Sequence, residues 1–238
     1  MAGDMTAAAP LDDWTPARRP DASTLAGAHV QLEALDVARH AEDLFAALHG
    51  PAPDPHLWDH LPYGPFADVA ALRRHLEAQE RSGDPRFYAI VDQATGRAGG
   101  VAALMRVDEA NGSIEIGHVW FGAGLQRTPQ ATEAIFVMAR QAFDELGHRR
   151  LEWKCDAANA RSRAAARRFG FTYEGTFRQH MIVKGRNRDT AWFSIVDGEW
   201  PAVRAGFTAW LAPENFDAGG AQRRPLAALR ASASSVGG

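Results

Sequence analysis

Apolar residues recur along this chain with two different periods, and the switch between them outlines the fold. Val30–Leu35 alternates inward and outward positions as a strand does. Asp36 then stands where a helix cap belongs, ahead of Val37, Ala41, Leu44, Phe45 and Leu48 on one helical face; Gly50 and Pro51 end that helix. A proline-punctuated, aromatic-rich loop fills 51–66. Asp68 can cap a second helix running to about Arg81, with Val69, Leu72 and Leu76 inward. Phe87–Val91 and Gly99–Val107 read as a hairpin, and the Asn111-Gly112 turn leads into a strand over Ser113–Phe121.

From there the period lengthens. Pro129 suits a first helical turn, where a missing N–H costs nothing, and Ala131, Ala134, Ile135, Met138, Ala142 and Leu146 follow at helical spacing up to Gly147. Arg150–Cys155 is a strand, and Asn159 to Phe169 a short helix stopped by Gly170. Two strands flank a turn at Lys184–Asp189, and a helix covers Pro201–Leu211. A strand, a helix and a strand in succession over 113–155 require a crossover, so those two strands are expected to be parallel. The fold class is therefore α/β in the mixed sense: a twisted, mostly antiparallel sheet with a central parallel pair, flanked by helices. Residues 28–212 form the expected domain. Residues 1–27 are expected to be an arm, partly ordered, and 213–238 a flexible tail poor in bulky side chains.

Composition narrows the function. Lys and Arg number 26 against 29 Asp and Glu, which argues against a broad nucleic-acid or anionic-membrane footprint. The start lacks a basic segment followed by an apolar run, and no stretch has the length of a membrane span, so a cytoplasmic protein is expected. Cys155 is the single cysteine; it allows neither an intrachain disulfide nor a cysteine-rich zinc site. His56 and His60 are spaced i, i+4, but no third ligand is evident, and no metal is expected.

Two stretches carry the chemistry. Gln126-Arg127-Thr128-Pro129-Gln130-Ala131-Thr132-Glu133-Ala134 joins a strand end to a helix start, where unpaired N–H groups and the helix dipole suit a pyrophosphate. Arg127 adds a cation, and Thr128 and Thr132 add hydroxyls. Downstream, Asn159-Ala160-Arg161-Ser162 opens a helix at a strand end and is followed by Arg168-Phe169-Gly170-Phe171 and Glu174-Gly175. Together these resemble the GNAT superfamily in its RimJ/RimL-type branch: the first is similar to the family's Gln/Arg-x-x-Gly-x-Gly/Ala loop, with Pro129 at the middle glycine, and the second to its Asn-x-x-Ser…Lys-Leu-Gly-Phe…Glu-Gly run, with Arg168-Phe169 at the Lys-Leu. The resemblance spans roughly residues 25–212.

The resemblance implies acetyl-CoA as co-substrate and transfer of its acetyl group to a primary amine, on a small molecule or a protein N-terminus. Trp120, Phe121, Gln126, Arg127, Thr128, Ala131, Thr132, Asn159 and Ser162 would line the coenzyme site. Main-chain N–H groups near Trp120–Phe121 would polarise the thioester. Ser162 or water would protonate the departing thiolate. Ala166 stands where many relatives carry an acidic tyrosine. Glu115, the only acid inside its strand, is the candidate base, directly or through water. The run 148–154 and Arg161, Arg163, Arg167 and Arg168 make one basic neighbourhood, of which one or two arginines could meet a 3′-phosphate, the rest forming a solvated face. In similar proteins the loop holding Trp58, Tyr63 and Phe66 borders the acceptor mouth, and homodimers are common. A non-catalytic acyl-CoA-binding module and a transferase using another donor, such as succinyl-CoA, are the alternatives.

Overall fold

In a computed structural model the described residues are 11–21, 23–50 and 53–234. The strands are β1 (Thr24–Ala26), β2 (Val30–Ala34), β3 (Arg86–Asp92), β4 (Arg97–Asp108), β5 (Ser113–Phe121), β6 (Arg150–Asp156), β7 (Thr172–Val183) and β8 (Arg186–Val196). The helices are α1 (Val37–Leu48), α2 (Val69–Glu80), α3 (Pro129–Arg140), α4 (Ala160–Phe169), α5 (Trp200–Leu211) and α6 (Leu226–Ser234). The strands make one sheet in the order β1-β2-β3-β4-β5-β6-β8-β7, and every pairing is antiparallel except β5 with β6. No helix among the described residues is long and apolar enough to cross a membrane.

The caps expected at Asp36 and Asp68 form, and Thr128, expected as a hydroxyl for the pyrophosphate, caps α3 instead. The side chains of Asp36, Asp68, Thr128 and Asn159 accept N–H bonds from Arg39, Ala71, Ala131 and Ser162, and Gly170 ends α4 in the left-handed region at φ 105°. Helices α3 to α6 cover one sheet face, burying Ile90, Leu104, Ile114, Leu151 and Phe193 against Ile135, Met138, Phe169 and Phe207. On the other face α1 and α2 cover Phe87, Ala89, Val101, Ala103 and Trp120. The expected single long helix after Pro129 widens into a π turn over Gln141–Glu145. The turn expected over Lys184–Asp189 is tighter: Lys184 (φ 49°) and Gly185 (φ 73°) alone connect β7 to β8, both left-handed as a two-residue hairpin demands.

Both expected boundaries shift outward. Thr24–Ala26 pairs with β2, Ala17 is buried, and the Trp14 indole donates to the Ala110 carbonyl at 3.1 Å. The arm therefore extends the domain from at least Trp14 on; residues 1–10 of it, and 22, lie outside the described residues. The expected flexible tail is a correction. Leu226 and Leu229, three apart on α6, join the core beside Phe207 and Trp210 of α5. Buried Asn215 ties the connection, donating to the Trp210 and Arg224 carbonyls and accepting from the Arg224 N–H. Two leucines among small residues are enough here because Gly206 of α5 leaves room for Arg230 to lie across it. Residues 235–238 lie outside the described residues.

Candidate active site

Strands β5 and β6 run side by side only from Ser113↔Arg150 to Ile116↔Trp153. Beyond Ile116, β5 keeps β4 on one side, to Phe121↔Gly100, and has no strand on the other. A bulge accompanies the parting. Between Ala103↔Gly117 and Val101↔Trp120, β5 uses three steps where β4 uses two, and His118 sits at φ 52°. The extra residue reverses the alternation, so Ile116 lies in the α3 core while Trp120, four residues on, lies in the α1–α2 core. The result is a wedge whose walls are Gly117–Phe121 and Lys154–Asp156, with α3 and α4 both starting at its wide end.

At the start of α3, Arg127 is exposed and left-handed (φ 63°). The Thr128 hydroxyl donates to the Leu125 carbonyl at 2.7 Å and accepts from the Ala131 N–H at 3.2 Å, so it is committed to the cap. Thr132 and Ala131 are buried. Thr132 donates to the Thr128 carbonyl and accepts from Arg168 Nη1 at 3.0 Å. Gln126 Nε2 donates to the Phe121 carbonyl at 3.1 Å and to Asp54 Oδ2 at 3.4 Å. On the opposite wall, Asn159 Oδ1 accepts the Ser162 N–H at 2.9 Å, and Ser162 Oγ accepts the Trp153 indole N–H at 2.9 Å. Trp120 is buried against Trp58, with ring centroids 5.8 Å apart, and Phe121 is half-buried.

Glu115 alternates with Ile114 and Ile116 and so points to the other sheet face. It is 5% exposed, with Lys154 Nζ at 3.1 Å and Arg106 Nε at 3.3 Å; Lys154 also binds Glu152 at 2.6 Å and lies 3.7 Å from the centre of the Trp192 ring. Burial pushes the Glu115 carboxyl up, and the two cations only partly offset it. A raised carboxyl is a better proton acceptor than a free one, though this one is held in an ion-pair network rather than standing open to the wedge.

The loop 53–67 closes across the mouth through contacts the sequence does not announce. Asp54 binds Arg161 Nη1 at 2.6 Å as well as Gln126, so it bridges the two walls. Burial works to raise its carboxyl, but the His56 N–H, Arg161 and Gln126 outweigh that and hold it below the ordinary range. His60 Nδ1 pairs with Asp156 at 3.1 Å, whereas His56 turns to Asp59. Lys184 Nζ, at the tip of the β7–β8 hairpin, donates to the Trp58 and Gly64 carbonyls at 2.9 and 3.0 Å. Beneath the loop, Tyr63 stacks on His118 at an interplanar angle of 8°, their Oη and Nδ1 3.2 Å apart. Burial lowers His118 to about 4, with His75 and Arg106 adding to the effect, so the ring is neutral at physiological pH. The sequence carried no signal for His118, because its place at the wedge depends on the bulge. Among the described residues no cluster of His, Cys, Asp and Glu could hold a metal ion.

A mixed sheet whose single parallel pair parts into a wedge between two helix starts is the α/β arrangement that the sequence resemblance implied. The chain belongs to the GNAT acetyltransferase family: the family described as Acetyltransferase (GNAT) domain matches residues 29–172. It is similar to a GCN5-related N-acetyltransferase from Brucella melitensis, at 47% identity and a TM-score of 0.90 over 93% of this chain and 100% of that one. A Bacillus subtilis protein provisionally named a ribosomal N-acetyltransferase, YdaF, is 31% identical over 42% of this chain and 55% of its own length, in keeping with the RimJ/RimL-type branch. The chain thus spans about half of that curated relative. The fold is also that of the microcin C7 self-immunity acetyltransferase MccE, described in complex with acetyl-CoA and AMP, at a TM-score of 0.60 and 22% identity over 71% of this chain and 93% of that one.

Proposed function

We propose that this protein is an acetyl-CoA-dependent N-acetyltransferase that transfers the acetyl group directly to a primary amine. The parting of β5 from β6 beyond Ile116↔Trp153 carries the reading, because it leaves a strip of main chain beside a slot with a helix start on each wall. A long, thin, amide-bearing co-substrate with a pyrophosphate at one end fits such a slot. The α3 start, with Arg127 beside it, takes the pyrophosphate. Thr128 and Thr132 contribute by shaping that turn rather than by their hydroxyls, which are already bonded.

Main-chain N–H groups of Gly117–Phe121 orient the thioester and polarise its carbonyl. The neutral amine attacks the carbonyl carbon, the C–S bond breaks, and the proton the amine sheds leaves through Glu115 or water. Ser162 gives its proton to the thiolate and regains one from water. The acceptor enters from the face that bears Glu115, under the 53–67 loop. A relative with a ribosomal name, YdaF, favours a protein N-terminus among the primary amines. The test is release of free thiol from acetyl-CoA with an N-terminal seryl peptide, with succinyl-CoA in parallel. Acetyl-dependent thiol release with N-acetylated peptide as product supports the reading. Tight coenzyme binding with no transfer to a panel of amines would replace it with a binding module.

A further inference from the structure

Ser162 has one proton to give and two lone pairs, and one lone pair is already taken. The Trp153 indole N–H is a donor only, so at 2.9 Å Ser162 Oγ must be the acceptor. The indole cannot turn away. Trp153 is 6% exposed, and its ring is packed against Phe169 and Phe171, with centroids 6.1 and 5.7 Å away. The serine main chain is fixed as well, because its N–H is bound to Asn159 Oδ1. Next along the same face of β6 lies the Cys155 thiol, kept protonated chiefly by burial and in hydrogen-bond contact with the Ser162 hydroxyl, so the serine proton must leave Cys155 when the coenzyme sulfur arrives.

We propose that Trp153 is a positioning residue: its indole N–H occupies one lone pair of Ser162 Oγ, turns the serine proton toward the coenzyme sulfur and makes that proton a better donor. The proposal rests on the reading of Ser162 as the group that protonates the leaving thiolate. A hydroxyl that accepts a bond donates a stronger one, because each bond polarises the next. The indole proton never leaves nitrogen. The proton that moves is the serine's, passing to sulfur as the C–S bond breaks, and water returns one to Oγ.

The test uses coenzyme A itself and needs no acceptor. The thiol of bound coenzyme A is titrated by ultraviolet difference absorbance of the thiolate, with coenzyme-free protein subtracted to remove Cys155. A hydroxyl aimed at sulfur stabilises the thiolate, so Ser162→Ala should raise the titration midpoint by about one unit, the tenfold factor of one charge-assisted hydrogen bond. Trp153→Phe keeps an aromatic ring in the core but loses the N–H and some ring volume; it should raise the midpoint by roughly half as much. The double variant should match Ser162→Ala alone, since the indole acts only through the serine. Melting temperatures of all four proteins separate this effect from loss of packing.

A Trp153→Phe midpoint equal to wild type, with Ser162→Ala shifted, overturns the positioning role and leaves the serine's role standing. Additive shifts in the double variant overturn it too, because the tryptophan would then act independently of the serine. An unshifted midpoint in Ser162→Ala removes the serine's role and the proposal with it. Failure of wild-type protein to bind coenzyme A would remove the proposed function altogether.

Discussion

Glu133 provides the sharpest test of what holds the first strands in place. Its carboxylate, on the first turns of α3 and 4% exposed, accepts three main-chain N–H bonds from a segment about a hundred residues earlier: Ala28 at 2.7 Å, His29 at 2.6 Å and Val30 at 2.9 Å. Each is charge-assisted, a kind typically worth about 1.5–3 kcal/mol. Glu133→Ala removes all three acceptors and leaves the amides facing a small void. The losses are not additive, since water can enter and the segment can relax, so we expect about 3–5 kcal/mol. Against a total stability of about 5–15 kcal/mol this is a large fraction. For a chain of this length it corresponds to a melting-point drop of roughly 10 °C.

Glu133→Gln should cost less, about 2–3 kcal/mol, because one oxygen remains but its amide nitrogen turns a donor toward donors. A second arm checks the cause. A Cβ on Gly27 would lie 2.5 Å from Glu133 Oε2, so Gly27→Ala should displace the carboxylate and destabilise the wild type. In Glu133→Ala that space is vacated, and the same substitution should cost far less. Urea denaturation of the wild type and the four variants measures both. A Glu133→Ala loss below about 1 kcal/mol, or full additivity with Gly27→Ala, would refute the reasoning.

Arg127→Glu places a negative charge at the proposed pyrophosphate site and should weaken coenzyme A binding at least tenfold by calorimetry, with stability unchanged because the side chain is exposed. Truncation after residue 217 removes Leu226 and Leu229 from the core, so it should lower the melting temperature clearly; an unchanged melt would mean that α6 does not dock in solution. Glu174 is held down to about 2 from 4.5, first by its Arg150 hydrogen bonds and also by Ser194. A depressed carboxyl stabilises above its unfolded value and loses that contribution as pH falls from about 4.5 toward 2, so Glu174→Gln should flatten the acid limb of stability. The effect should be modest, because the pair is partly exposed.

What the sequence disclosed was what depends on near neighbours. Asp36, Asp68, Asn159 and Gly170 bound their helices as read, because a cap bonds a residue three or four positions away, whereas Thr128, expected as a hydroxyl for the pyrophosphate, is spent as a cap. The crossover over 113–155 implied the parallel pair. The bulge at His118 was not legible, because it exists only in the register between β4 and β5. Nor was the mouth: Asp54 meets Arg161 and Gln126, and Lys184 meets Trp58, across 72 to 126 positions of chain. Glu133 was quoted as part of a loop pattern, with its role as an anchor for residues 28–30 hidden for the same reason. The C-terminal segment misled through composition, since α6 offers two leucines amid alanine and serine and depends on the shape of α5 to receive them.

The order in which the strands lie has a bearing on how the molecule assembles. From β1 to β6 each strand's neighbour in space is its neighbour in sequence, so the sheet can be laid down in the direction of synthesis, each new strand docking on an edge already present. Helices α1 and α2 intervene between β2 and β3 and α3 between β5 and β6, and the anchor α3 supplies to residues 28–30 arrives after β2 and β3 can have paired. The last hairpin departs from the rule: β8 sits inside and β7 outside, so β7 is made first yet has nothing to pair with until β8 follows it. The growing edge is therefore exposed longest at β6, the strand that carries Trp153 and forms one wall of the wedge. Slow pairing of that final hairpin would leave this wall, and with it the proposed coenzyme slot, as the last part of the sheet to be completed.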